Sequence, residues 1–263
     1  MDRAAALAQS LGTSLMALHV MDTPWLSKLA QPAWRSLQQD QLEQANKRLR
    51  ADLANAPVNI TVLVETGNPI EVIEQIAKQE QCSLIVSGTA REETLGRLVL
   101  GNTVERLARR TTTPLLVVRA RPFAPYRKIV VAIDFSDGSR QALMAAHTLC
   151  ADAQLTLYHA FDQVAGIYQL DQPTVTEEIA ALIKKAKTFV QSTPGLDREL
   201  PIVVEHGSAQ DTLPAYVRAN DVELLVMGTH GETGVVRTAM GSVAEKLLTR
   251  AQCDVLIVPH TNH

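Results

Sequence analysis

Cysteine is scarce, and its placement excludes more than its number. Cys82, Cys150 and Cys253 are odd in number, far apart and without C-x-x-C spacing, which argues against a disulfide framework or a zinc site and suits a reducing compartment. The expected location is the cytoplasm. The seven histidines show no H-x-x-x-H or H-E-x-x-H spacing, so a metal site has no support. No apolar run reaches the ~20 residues that a membrane helix needs. The opening MDRAAALAQSLG carries an acid at position 2 and a glycine break. It is a poor signal peptide, and its apolar residues fit one face of a short helix instead. Charge of one sign is lacking too: the formal net charge is −3, so no global field favours nucleic acid or an anionic membrane. Short basic stretches such as Lys47-Arg48-Leu49-Arg50 and Arg109-Arg110 read as solvated helix faces. Enzyme signatures are missing as well. There is no G-x-x-x-x-G-K-[ST] phosphate loop, no G-x-G-x-x-G after a strand and no G-x-S-x-G elbow. No carboxylate pair can be assigned acid and base roles.

What is present is a repeat. Placed at a constant shift of 140, Leu15 falls on Leu155, His19 on His159, Glu65 and Gly67 on Glu205 and Gly207, and Val86, Gly88 and Thr89 on Val226, Gly228 and Thr229. Arg97, Gly101, Glu105, Leu107 and Arg110 fall on Arg237, Gly241, Glu245, Leu247 and Arg250. A unit of this length is a duplicated domain, not a solenoid repeat of roughly 20–50 residues. The expected division is an N-terminal domain over 1–119, a linker over 120–127 containing two prolines, and a C-terminal domain over 128–260.

The second copy alternates strands and helices throughout. KIVVAI (128–133) is a continuous β-branched run, as a central parallel strand buried on both faces requires. A helix follows over about 137–151, then the strand LTLYH (155–159) and a helix over about 174–192. The strand PIVVE (201–205), a helix over about 208–220, the strand VELLVMG (222–228), a helix over about 242–251 and the strand DVLIV (254–258) complete it. This is an α/β chain of two doubly wound parallel-sheet domains. Ser208-x-x-Asp211 and Ser242-x-x-Glu245 have the form of capping boxes, with Asn68 (followed by Pro69) and Asn102-x-x-Glu105 as first-copy equivalents. The first copy has no counterpart of KIVVAIDFSDGS, because 128–140 shifted back by 140 falls at −12 to 0. The expectation is a first domain without its central strand: either the protein starts earlier, or this domain has lost its nucleotide edge.

Parallel α/β sheets bind ligands beyond the carboxyl ends of their strands, where strand order reverses. Two such ends stand out: Asp134 after VVAI, and Gly228 after VELLVM. From Gly228 the sequence runs GTHGETGVVRTAMGS, placing Gly231 after two intervening residues and Gly241-Ser242 after nine more. Glycine lets the backbone approach a phosphate, and a helix opening at Gly241-Ser242 offers free amides and a positive dipole end.

These residues resemble the universal stress protein family, whose ATP-binding members carry G-x-x-G, nine residues, then G-[S/T]. The resemblance extends over both copies and includes Asp134 with Ser136 and the terminal DVLIVP. It implies a Rossmann-like, adenine-nucleotide α-hydrolase-like fold with strand order 3-2-1-4-5, and ATP, with or without Mg, as ligand. Asp134 would lie near the adenosine, with Ala132 and Ala160 lining its pocket. Met227, Gly228, Gly231, Gly241, Ser242 and Val243 would hold ribose and phosphates, and Arg237 ranks lower. The first copy departs from the pattern, with Arg91 at the second glycine and Asn102 at the serine, so only the second copy is expected to bind. The resemblance also implies that last strands pair two domains. PLLVV (114–118) and DVLIV are expected to form an intramolecular pseudo-dimer, with homodimerisation of whole chains as an open extension.

Plainer readings stand beside these. Ser242 and Asp134 could serve only as caps, Met227 could be core, His230 a solvated loop residue, and His19 and His159 packing or hydrogen-bonding groups. The leading expectation is a cytoplasmic ATP-binding protein with a stress-response or regulatory role. The alternatives are a tandem scaffold acting through protein contacts and, more weakly, a slow ATPase or ATP-using enzyme.

Overall fold

The computed structural model describes residues 1–22, 32–53, 58–91, 98–99, 101–119, 124–162, 172–229 and 240–260. The first copy contributes α1 (Asp2–Ser10), β1 (Leu15–Met21), α2 (Pro32–Leu53), β2 (Ile60–Thr66), α3 (Pro69–Gln79) and β3 (Ile85–Gly88). The short strands β4 (Ala90–Arg91) and β5 (Leu98–Val99), then α4 (Asn102–Arg110) and β6 (Leu115–Val118), complete it. The second copy supplies β7 (Lys128–Ala132), α5 (Asp137–Leu149), β8 (Gln154–Phe161), α6 (Gln172–Gln191) and β9 (Ile202–His206). Next come α7 (Ala209–Ala219), β10 (Leu224–Gly228), α8 (Ser242–Arg250) and β11 (Asp254–Val258).

The apolar run at 128–133 is central, as its composition requires. β7 pairs in parallel with β8 on one side and β10 on the other, and Ile129, Val130 and Val131 are all buried. With β9 outside β8 and β11 outside β10, the second copy has the order 3-2-1-4-5, all parallel. β6 then adds antiparallel to β11, and β3 parallel to β6, so one sheet has seven strands. β1 and β2 form a separate parallel pair. Among the described residues no strand stands in the first copy at the place of β7. The chain forms two compact units, Met1–Ser83 with Arg121–Pro125, and Leu84–Ala120 with Tyr126–His263. β3, α4 and β6 fall in the second unit because their strands belong to the seven-stranded sheet.

The β6–β11 seam is two-fold symmetric. Leu256 pairs with Leu116, its own counterpart in the repeat, and Val255–Val117 and Ile257–Leu115 flank it. Both strands lose their free edges, and all five residues of β11 are buried. Arg109 and Glu245 make an exposed ion pair at 2.5 Å, worth at most about 1 kcal/mol. Asp254, which opens β11, has no acidic counterpart in the first copy, where Pro114 stands. Its buried carboxylate accepts the Tyr126 hydroxyl at 2.6 Å and the Arg119 amide at 2.7 Å. The Arg119 guanidinium donates to the Leu248 carbonyl. Both flanks of the linker are thereby fastened to β11.

The helix starts refine the capping expectations. Asn68 caps α3, its side chain accepting the Ile70 amide at 3.0 Å with Pro69 in the first turn. Asn68→Ala should therefore lower the free energy of unfolding by about 1 kcal/mol, seen as a shifted urea midpoint with an unchanged slope. Ser208 caps α7, but its hydroxyl donates to the Asp211 carboxylate at 2.6 Å in place of accepting a backbone amide. That hydrogen bond, with Arg250 beside it, holds the Asp211 carboxyl below its usual range. The other two boxes do not form. The N-caps of α4 and α8 are Gly101 and Gly241, one residue earlier than the sequence suggests, and neither helix has a side-chain cap among the described residues. Asn102 and Ser242 are the first helical residues, because a glycine with extended backbone already turns each chain into its helix.

Candidate functional site

Two strand ends and one helix start build the site. Ala132 ends β7, and Val131 lies opposite Val226 of β10, so one step further Met227 is level with Ala132. Ala160, on β8, lies two residues beyond Tyr158, the partner of Ala132, and is therefore level with Asp134. Gly241 donates its amide to the Thr229 carbonyl at 2.8 Å, which ties the start of α8 to the end of β10. A Cβ on Gly241 would stand 3.3 Å from that carbonyl oxygen, so glycine is what lets the helix start sit so close. Ala132, Asp134, Gly228, Gly241 and the first turn of α8 thus border one end of the sheet. Gly231, His230 and Arg237 lie outside the described residues.

The start of α8 can receive an anion. The amides of Ser242, Val243 and Ala244 have no acceptor within the helix, no side chain among the described residues caps them, and Ser242 and Val243 are exposed. The positive end of the helix dipole lies at the same point. Met227 is 3% exposed and packs as core, so any ligand contact through it would be at the strand end. Gly228 has a packing role of its own: a Cβ there would meet the backbone carbonyl carbon of Gly138, in the first turn of α5, at 3.0 Å.

Asp134 opens the turn from β7 into α5. Its Oδ1 accepts the Ser136 amide at 3.1 Å and the Ser136 hydroxyl at 2.5 Å. The cap of α5 is Ser136, whose Oγ accepts the Ser139 amide at 3.2 Å. Phe135 between them has φ +69°, a backbone conformation costing a non-glycine residue about 1–3 kcal/mol. Packing holds it there. The Phe135 ring lies 4.6 Å from the His159 ring and 5.9 Å from Phe189, and the Lys185 ammonium stands 4.1 Å from its centroid. His159 Nδ1 donates to the Ile133 carbonyl at 2.8 Å, the hydrogen-bonding role expected for a histidine that recurs at a strand end. Gly138 and the Phe135 turn escape sequence reasoning. A phenylalanine carries no signal for positive φ, and Gly138 reads as an ordinary helix residue until Gly228 is placed against it.

In the first copy, Arg91 belongs to β4, which pairs antiparallel with β5 through Arg91–Leu98 and Ala90–Val99. Among the described residues no group of three or more His, Cys, Asp or Glu side chains is arranged to hold a metal ion, and no helix is long and apolar enough to cross a membrane.

Known proteins share this architecture. Over 97% of its length the chain is 22% identical to universal stress protein E of Salmonella typhi, covering 88% of that protein. It is 24% identical to a universal stress protein of Mycolicibacterium smegmatis, over 82% of this chain and 75% of the other. The crystal structure of a universal stress protein from Archaeoglobus fulgidus superposes with a TM-score of 0.70 at 16% identity, covering 99% of this chain and 94% of that one; at that identity the match speaks to the fold. The model of the universal stress protein family matches twice, over residues 1–119 and 125–259, and on that match, with the tandem α/β sheets described above, the chain belongs to the universal stress protein family.

Proposed function

We propose that this stress-response protein binds one ATP per chain, in its second copy, at the carboxyl ends of β7 and β10. The observation that carries the reading is the start of α8, which no side chain among the described residues caps and which the Gly241–Thr229 hydrogen bond holds beside the β7 end that bears Asp134. A helix start with open amides and no side-chain cap favours an anionic ligand. In this reading the domain division is that of the repeat, 1–119 and 128–260, and the chain acts in the cytoplasm. The amides of Ser242 and Val243 and the Ser242 hydroxyl donate to phosphate oxygens, and Gly228, Gly231 and Gly241 keep the backbone clear of Cβ atoms. Ala132 and Ala160 leave room for the adenosine. Asp134 accepts from its hydroxyls or amine while the Ser136 contacts hold the carboxylate in place. Mg arrives with the phosphates. Nucleotide occupancy then adjusts what the chain binds, with β6 and β11 joining the two copies as an intramolecular pseudo-dimer.

The scaffold reading draws on one specific observation, the close approach of Gly228 to Gly138, which accounts for one glycine of the motif by packing alone. Titration calorimetry of the full chain with ATP separates the two readings. The expected result is saturable binding at a stoichiometry of about one per chain, as one intact motif implies. Absence of binding at millimolar ATP, with the far-ultraviolet spectrum of a folded α/β protein, would favour the scaffold.

A further inference from the structure

Among the described residues, three that are not glycine have positive φ: Gln81 and Asp221, both at +51°, and Phe135 at +69°. Gln81 and Asp221 are equivalent in the repeat, and each follows the end of a helix. The Cys82 amide returns to the Ala77 carbonyl at 2.8 Å and the Val222 amide to the Val217 carbonyl at 3.1 Å, the closing bonds of a left-handed helix end. Phe135 ends no helix. It lies between the carboxyl end of β7 and Ser136, the cap of α5. A bulky side chain is an unfavourable choice at a left-handed position, which glycine adopts readily.

What this conformation accomplishes is local to Asp134. With Phe135 left-handed, the Ser136 amide and hydroxyl both turn back to Asp134 Oδ1, at 3.1 and 2.5 Å. The ring is the anchor. His159 lies 4.6 Å from it and also donates from Nδ1 to the Ile133 carbonyl at 2.8 Å, so one side chain of β8 fixes the residues on either side of Asp134. Phe189 of α6, 5.9 Å from the Phe135 ring, is itself held by Arg140, whose guanidinium stands 4.4 Å from the Phe189 centroid and donates to the Phe189 carbonyl at 3.2 Å. The Lys185 ammonium, 4.1 Å from the Phe135 centroid, completes the clamp. Backbone strain that the surroundings enforce in this way clusters where geometry serves function.

We propose that Phe135 is a positioning residue for the nucleotide: its clamped, left-handed backbone holds the Asp134 carboxylate at the place where the adenosine is bound. This rests on the reading that ATP binds at the ends of β7 and β10. Phe135 itself touches no ligand in this scheme. It acts through Asp134, by keeping the binding-competent turn populated before the ligand arrives.

The test compares two substitutions that differ by one methyl group, Phe135→Ala and Phe135→Gly, in titration calorimetry of the full chain with ATP. Both delete the ring and its contacts, and both should lower the urea midpoint. Only alanine resists the left-handed state, so Phe135→Ala should bind ATP about tenfold more weakly than Phe135→Gly. A role in packing alone would not separate the two. In the Asp134→Ala chain, which keeps the phosphate donors of α8, the same pair should differ by less than about twofold, because the carboxylate they position is gone. Equal affinities of Phe135→Ala and Phe135→Gly, when the parent chain binds ATP, overturn this inference and leave the nucleotide reading standing. So does a gap that persists undiminished in the Asp134→Ala chain. If the parent chain itself does not bind ATP, both fall together.

Discussion

Gly231→Arg should bind ATP on the order of thirtyfold more weakly than the parent chain in titration calorimetry. The substitution copies a difference the repeat already contains, since Arg91 stands at the equivalent place. An arginine there puts a long side chain where the proposed phosphate path needs bare backbone. Loss of the helix-end interaction alone is worth up to about 2 kcal/mol, and at 1.4 kcal/mol per tenfold that is about thirtyfold before any steric cost. The reverse change, Arg91→Gly, should create no site. Arg91 belongs to a short antiparallel ladder with β5, and Asn102 stands where the second copy has Ser242. Unchanged affinity in Gly231→Arg, with the fold intact, would show that the glycine segment does not hold phosphate and would favour the scaffold reading.

Gly228→Val should destabilise the chain by about 3 kcal/mol, at the upper end of the overpacking range. Its Cβ alone would stand 3.0 Å from the Gly138 carbonyl carbon and 3.1 Å from its oxygen. These are backbone atoms in the first turn of α5, so relief requires a shift of β10 or of the helix. The equivalent glycine is the control. A Cβ on Gly88 meets nothing within 4 Å, and Gly88→Ala should be neutral or stabilise by up to about 1 kcal/mol through reduced backbone freedom. Urea unfolding of the two variants beside the parent measures the contrast. Equal effects at the two sites would mean that α5 does not press on β10 as described.

Much of the fold is legible because duplication gives each signal twice. Gly67 and Gly207 recur because both stand at positive φ, +144° and +122°. The β-branched run at 128–133 announces a strand with neighbours on both sides, and the structure puts β8 and β10 there. PLLVV and DVLIV read as last strands needing a partner, and each is the other's. The capping boxes mislead at Ser242 and Asn102, because spacing alone cannot distinguish a cap from a first helical residue when the preceding glycine makes the turn. At the candidate site, the motif gives the strand ends and the helix start. It does not reveal that Asp134 is anchored by Ser136, that Phe135 is held at positive φ by His159, Phe189 and Lys185, or that Gly228 answers to Gly138. Those are contacts between segments distant in sequence or backbone states that no residue type advertises.

The β6–β11 seam has a consequence for dilution and for divergence. Two separate chains joined by such a seam would fall apart as the protein became scarce. With both strands on one chain, the local concentration of each for the other is of order millimolar and does not depend on how much protein the cell makes. Joining them also frees the halves from having to be identical. A substitution in a self-pairing chain appears on both sides of the symmetry axis at once, whereas here Asp254 can fasten the linker while Pro114 takes its place across the seam. Arg91 can likewise replace a motif glycine in one half with Gly231 kept in the other. One half is then at liberty to hold a ligand while the other specialises in being held.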